Sequence, residues 1–284
     1  MIMKKIEDCT FGIAGLGLMG GAIALALRGK TRRVLACDVD SAVIETATKE
    51  GVIDEGFLDP RKMLPMCDVV YLCLNPLTML AFLDAWMPFF SAGALLTDIA
   101  GVKTPIVAAM EEKLRPDLDF IPGHPMAGSE KGGFAQARRC VFTGKNYILT
   151  PLKRNKAESV EFIKNVIYRM GFSRITETTA EDHDRKIAFT SQLCHVIAAA
   201  LIDCEPDRNI TRFGGGSFED LTRIAMLNVP QWTELFLENK RELLRRIAQF
   251  EDSLDTLKTL VAEERKDDLQ AYLQTVRDRR AGMT

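Results

Sequence analysis

The chain has 284 residues, 47% of them hydrophobic, with 37 basic side chains against 39 acidic ones and a formal net charge of −2. Such a length favours two domains and the apolar content supports a sizeable core, while the balanced charge offers no electrostatic footprint for nucleic acid or an anionic membrane. The 7 cysteines are odd in number, scattered and never spaced CxxC, which argues against a disulfide framework or a metal site and for reduced thiols in the cytoplasm.

Residues 11–27, FGIAGLGLMGGAIALAL, follow two lysines and carry no charge, as an export signal would. Glycines at 12, 15, 17, 20 and 21 argue against a simple apolar helix. CTFGIAG instead predicts a short buried strand, and GLGLMGGAIALALRG a glycine-rich turn that runs into a helix. Gly15, Gly17 and Gly20 form GxGxxG: a tight turn, close backbone approach to a pyrophosphate, and close helix packing. With Leu16, Leu18 and Met19 they make a candidate phosphate cradle at a helix N-terminus. A glycine-rich corner alone is a weak signal. Here RRVLACDVD follows as a second strand and ends at Asp38, eighteen residues beyond Gly20. An acid there accepts both ribose hydroxyls and repels a 2′-phosphate, so NAD is expected over NADP.

The alternation continues with helix SAVIETATKEG, strand DVVYLCLN (68–75), helix PLTMLAFLDAWMPFF, strand ALLTDIA (94–100), helix KTPIVAAMEEKL and strand DFIPGH (119–124). YILTP (147–151) is expected to close the sheet. This order predicts a Rossmann-type doubly wound parallel sheet over residues 1–151, with ligands at the carboxyl ends of its strands. Asn75, Asp98 and His124 fall at such ends, so Asn75 and Asp98 join the candidate cofactor site and His124 faces the nicotinamide end.

From residue 152 to 284 the pattern becomes helical: NKAESVEFIKNVIYRMG, a short strand SRITET, then helices over 179–204, 216–227 and 230–276. Apolar residues at three- and four-residue steps with charged flanks suit helices that pack on one another or on a second subunit. His183 and His195 lie twelve residues apart on one helix, about 18 Å, too far to chelate a metal together. Ser191 and Gln192 share a face with His195, which leaves it either a satisfied core histidine or a substrate-facing one. In GGGSFEDLTRIA (214–225), Asp220 and Arg223 at i, i+3 make either a surface ion pair of little worth or a guanidinium fork for a carboxylate.

GLGLMGG, the second-strand Asp38, DIAGVK (98–103), HPMAGSEKGG (124–133), HD followed by SQLCH, GGGSFEDLTRIA and Trp232 occur in an order that resembles the prephenate dehydrogenase family, which includes arogenate dehydrogenases. The resemblance covers roughly residues 10–275. It implies a homodimer built on the helical domain and NAD-dependent oxidative decarboxylation of prephenate to 4-hydroxyphenylpyruvate, in tyrosine biosynthesis. It implies further that His124 is catalytic, Glu130 a gating acid with Asp220 as its ionic partner, and Arg223 the group that binds a substrate carboxylate. His195 and His183 become substrate-side polar groups and Trp232 a wall of the pocket. One departure is Gly101, where the family often has a serine, so one expected hydrogen bond to the substrate hydroxyl has no side chain to make it. Arogenate as substrate, a β-hydroxyacid dehydrogenase and a non-catalytic NAD-sensing protein are the alternative readings.

Overall fold

The computed structural model describes residues 4–128 and 131–283. Strands β1 (Thr10–Ala14), β2 (Arg33–Cys37), β3 (Glu55–Phe57), β4 (Val69–Leu72), β5 (Leu95–Asp98) and β6 (Asp119–Ile121) form one sheet in the order β3-β2-β1-β4-β5-β6. Every neighbouring pair runs parallel, so each strand needs a crossover to the next. Helices α1 (Leu18–Leu27), α2 (Ser41–Lys49), α3 (Pro60–Met63), α4 (Pro76–Trp86) and α5 (Thr104–Lys113) occupy these connections. The doubly wound sheet is the one expected, and its order reverses beside β1 and β4, which opens a crevice at the carboxyl end of β1.

The strands are apolar along their whole length because both faces are covered. Alternate side chains feed two cores: Phe11, Ile13, Val69 and Tyr71 enter one, and Ala14, Val70, Leu72 and Leu96 the other. The uncharged run 11–27 is therefore the central strand and first helix of this sheet. β3 and the single-turn α3 lack a legible period and were not foreseen.

Two strand expectations change. DFIPGH breaks at Pro122, which has no N–H to donate to a ladder, into β6 and β7 (Gly123–Pro125). β7 pairs antiparallel with β8 (Asn146–Leu149), the strand expected to close the first sheet, and β8 pairs parallel with β9 (Arg174–Glu177) in a separate three-stranded sheet. Between β8 and β9, α6 (Ala157–Met170) contributes Phe162, Ile163, Val166, Ile167 and Met170 to the core that holds Phe11. It ends at Gly171, φ 105°, a left-handed cap that glycine adopts cheaply. The strand-bearing part of the chain thus continues to Glu177.

Helices α7 (Ala180–Ile187) and α8 (Leu193–Asp203) are joined without a break by a π turn, Ala188–Gln192. By length and apolarity this rod of 24 residues could cross a bilayer, yet His183, Asp184 and Gln192 within it are buried in the protein. α9 (Gly216–Thr222), a 3-10 turn Arg223–Ala225 and α10 (Val229–Glu238) follow. The two compact units of the chain divide between Asn239 and Lys240. The second unit is a helical hairpin, α11 (Lys240–Ala262) packed on α12 (Lys266–Ala281). The helical pattern expected over 230–276 is interrupted at Asn239 and again at Glu264, whose φ of 51° is left-handed.

Candidate active site

The turn after β1 separates three uses of glycine. Gly15 has φ +93°, and a Cβ there would lie 2.6 Å from the Cys73 carbonyl oxygen; a Cβ on Gly20 would lie 1.9 Å from the Gly15 oxygen. Both positions are glycine because the fold leaves no room. A Cβ on Gly17, which is exposed, would meet nothing within 4 Å, so packing does not require glycine there and its absence of a side chain leaves the backbone open to close approach. Gly17 is also the N-cap of α1 and brings no side-chain acceptor, which leaves first-turn N–H groups, those of Leu18 and Met19, for an anion. Asp38, half-buried at the end of β2, accepts the Leu16 N–H at 2.6 Å and the Asp40 N–H at 3.0 Å. Its carboxylate thus stands against the glycine turn, as a ribose-binding acid must. Asn75, exposed at the end of β4, is the N-cap of α4. These residues fit a dinucleotide.

Asp98 does not join them. Its side chain is wholly buried and accepts from Lys103 Nζ at 2.5 Å, Ala100 N at 2.9 Å and Gly123 N at 3.0 Å. A buried carboxylate needs such partners to offset its desolvation, and having them it has no place left for a cofactor. Asp98 instead ties β5 to the segment that carries His124.

A cavity of about 370 Å³ opens beside this crevice, and Gly101, His124, Gln192, His195, Arg223 and Trp232 are among its walls. β7 positions His124, the 3-10 turn after α9 positions Arg223, and α8 and α10 bring His195 and Trp232 into a stack with centroids 3.5 Å apart. His195 Nδ1 lies 2.9 Å from the Ser191 carbonyl oxygen, so that nitrogen carries the proton. Gly101 is not among the glycines with positive φ, and a Cβ on it would lie 3.8 Å from His124 Cε1 and 3.3 Å from Leu235 Cδ2. A small side chain there, beside His124 in the wall, needs Leu235 Cδ2 to give by a few tenths of an ångström. Asp220 is exposed on α9 and is not part of the wall; Glu130 lies outside the described residues.

His183 is also absent from the wall. It is 1% exposed and its Nε2 lies 2.9 Å from His124 Nδ1, while its own Nδ1 lies 2.7 Å from Asp184 Oδ1. Asp184 accepts two more bonds, from the backbone N–H groups of Lys103 (2.8 Å) and Thr104 (2.7 Å) at the start of α5. Burial pushes the Asp184 carboxyl up, but bonds from His183 and Thr104 hold it below its ordinary value. Burial, then His183 and Lys103, push His124 well below the ordinary histidine value, so its ring is neutral near pH 7. Gln192 and Asn239 extend the buried network: Asn239 Nδ2 donates to Gln192 Oε1 and to the Asp184 carbonyl, and Gln192 Nε2 to the Leu235 carbonyl. Lys103, Asp184 and Asn239 were not picked out from the sequence. The only available signal was the dipeptide His183-Asp184, and neighbours at i, i+1 on a helix do not ordinarily face each other.

Two family models together account for most of the chain: the prephenate dehydrogenase nucleotide-binding domain over residues 22–176 and the prephenate dehydrogenase dimerization domain over 179–275. A prephenate dehydrogenase of Bacillus subtilis is 31% identical over 99% of this chain and 77% of its own length. Among solved structures, prephenate dehydrogenase of Aquifex aeolicus in complex with hydroxyphenyl propionate and NAD+ is similar at 32% identity, covering 98% of this chain and 99% of that one with a TM-score of 0.88. Synechocystis arogenate dehydrogenase is similar at 28% identity over 96% and 99%, with a TM-score of 0.81. A glycine cradle with its ribose acid, set beside a cavity walled by histidines, an arginine and a tryptophan, accords with these likenesses: the chain belongs to the prephenate dehydrogenase family.

Proposed function

We propose that this protein oxidises and decarboxylates prephenate to 4-hydroxyphenylpyruvate with NAD as the hydride acceptor. The observation that carries the reading is a neutral, half-buried His124 facing the same cavity as Arg223, next to a turn whose glycines fit a dinucleotide. Gly15, Gly17 and Gly20 with the α1 N-terminus would hold the pyrophosphate, and Asp38 the ribose. When bound, the nicotinamide takes the hydride from the ring carbon that bears the hydroxyl.

His124 acts on the oxygen. As that carbon loses hydride its hydroxyl becomes a carbonyl, and the proton must be accepted by a base that is neutral at working pH. The bond to the ring carboxylate then breaks, carbon dioxide leaves, and the electron pair runs through the ring to the same oxygen. That oxygen takes the proton back from His124 as the ring becomes aromatic, so no proton is consumed overall. Arg223 supplies the cation for a substrate carboxylate, and the His195–Trp232 stack forms an apolar wall for the ring.

Prephenate is favoured over arogenate because the relatives at 31% and 32% identity are prephenate dehydrogenases, whereas the arogenate dehydrogenase is similar at 28%. A homodimer through the helical region is supported by the dimerization-domain description of the matched model and by the exposed Leu244, Leu254, Val261, Leu273 and Val276 on the α11–α12 hairpin. The scattered cysteines, never spaced CxxC, support a cytoplasmic enzyme, and the balanced charge supports a small-molecule substrate rather than a nucleic-acid or membrane partner. Initial rates with prephenate and arogenate, each with NAD and NADP, test the reading. One NADH and one carbon dioxide per 4-hydroxyphenylpyruvate are expected, with kcat/KM at least about tenfold higher for NAD, the worth of one charge-assisted bond. No NADH from either substrate would overturn it.

A further inference from the structure

His124 alone does not determine which of its nitrogens carries the lone pair that a base needs. Four contacts behind it do. Asp184 accepts from two backbone N–H groups as well as facing His183, and a carboxylate in that setting is an acceptor only. His183 Nδ1 must therefore be the N–H. In a neutral ring the other nitrogen is then an acceptor, so His183 Nε2 takes a hydrogen, and the atom opposite it is His124 Nδ1 at 2.9 Å. His124 Nδ1 is in turn the N–H, and its Nε2 carries the lone pair.

We infer that Asp184 and His183 are positioning residues that act through His124, holding its base tautomer and stabilising the imidazolium it becomes during turnover. This rests on the assignment of His124 as the base. The device spans separate parts of the fold: Asp184 and His183 sit on α7, His124 on β7, and the N–H groups that hold Asp184 belong to the start of α5. The charged and titratable groups around His124 comprise His183 and Lys103 at its side, Asp184 and Asp98 behind them, and His195 and Arg223 in the cavity wall. Lys103 opposes the imidazolium, and its charge is countered by Asp98. Asp184 is the anion that His183 connects to His124.

The wild-type tautomers can be read directly, because the chain has only 3 histidines and long-range ¹H–¹⁵N spectra distinguish the two ring nitrogens of each. At neutral pH, Nδ1–H is expected on both His124 and His183; Nε2–H on His124 would overturn the inference without any mutation. Three variants test the consequence. His183→Phe removes the acceptor and is expected to lower kcat by about 10- to 100-fold, the usual weight of an orienting partner, with KM and NAD affinity little changed. His183→Gln offers an amide oxygen near the place of Nε2 and is expected to recover much of that loss. Asp184→Asn removes the charge, so the imidazolium of His124 is less favoured and the acid limb of the kcat–pH profile moves to lower pH. Wild-type kcat and profile in His183→Phe and Asp184→Asn, in protein that binds NAD normally, would reduce the trio to a packing feature. Failure of the functional reading looks different: no turnover of prephenate by the wild type, or full turnover by His124→Asn, whatever tautomers the spectra show.

Discussion

On the cofactor side of the cleft, the residues that matter come from one six-residue turn and the end of the next strand, 15–20 and 38. On the substrate side they come from Gly101, His124, His195, Arg223 and Trp232, spread over 132 positions and brought together only by the packing of α8, α10 and the turn after α9 against the sheet. The first is built mainly from backbone, two glycines that the fold requires and one that leaves space, with the carboxylate of Asp38 beside them. The second is built from side chains, and its behaviour depends on charge, tautomer and burial. A single substitution is therefore expected to act on shape and affinity on one side, and on rate and pH dependence on the other.

The largest effect that would break this comparison is at His124. His124→Asn is expected to lower kcat by about 10² to 10⁴, the weight of a positioned acid–base group, with NAD affinity measured by fluorescence titration unchanged; a matching loss of NAD binding would merge the two sides. Arg223→Ala comes next. Loss of a charge-assisted fork worth roughly 1.5–3 kcal/mol corresponds to about a 10- to 100-fold fall in kcat/KM, expected mainly as a higher KM for prephenate. A lower melting temperature with unchanged kinetics would return Arg223 to a structural role.

Alanine at two glycines sharpens the cofactor side. Gly20→Ala forces a methyl group onto the Gly15 carbonyl and is expected to cost about 1–3 kcal/mol of stability. Gly17→Ala meets open space and is expected to leave the melting temperature of the free protein unchanged while it weakens NAD. Equal melting losses in both variants would show that the space beside Gly17 is not reserved for a ligand.

Acid pH separates the sides again. Burial comes first among the causes that push His124, His183 and His195 below the ordinary 6.5. The unfolded chain therefore binds protons that the folded chain refuses as pH falls from about 6.5. Their contribution to stability is complete above that value and is lost progressively below it, so the melting temperature is expected to drop between pH 7 and 5, less steeply in His124→Asn. The smallest effect is at Gly101. Gly101→Ser is expected to change kcat/KM by at most roughly tenfold, the worth of one neutral hydrogen bond, and to fold normally because its φ is not left-handed.

The same contrast explains what could be read before the structure. The glycine turn, the strand order and Asp38 follow local rules of period and spacing, so they were legible residue by residue. Asp98 was misplaced because a strand-end position does not reveal that Lys103, five residues on, folds back onto it. For His183 the substrate-side place came from the resemblance alone, and helix phase says nothing of a second histidine arriving from β7. The break at Pro122 was visible as a proline, but the partner that β7 finds in β8 lies 24 residues downstream and carries no local mark.

The π turn Ala188–Gln192 makes the rod that contains it intolerant of changes in length. His183 is held on one side of it by His124 and Asp184, and His195 on the other by Trp232 and the Ser191 carbonyl. Removing one residue between those two anchors would turn one end against the other by about 100°. The helix could remain a helix, but the buried pair and the stacked pair would no longer both be in phase. A segment with little of the glycine motif's visibility is thus under as strict a spacing rule as the motif itself, one that acts on the count of residues rather than on their identity.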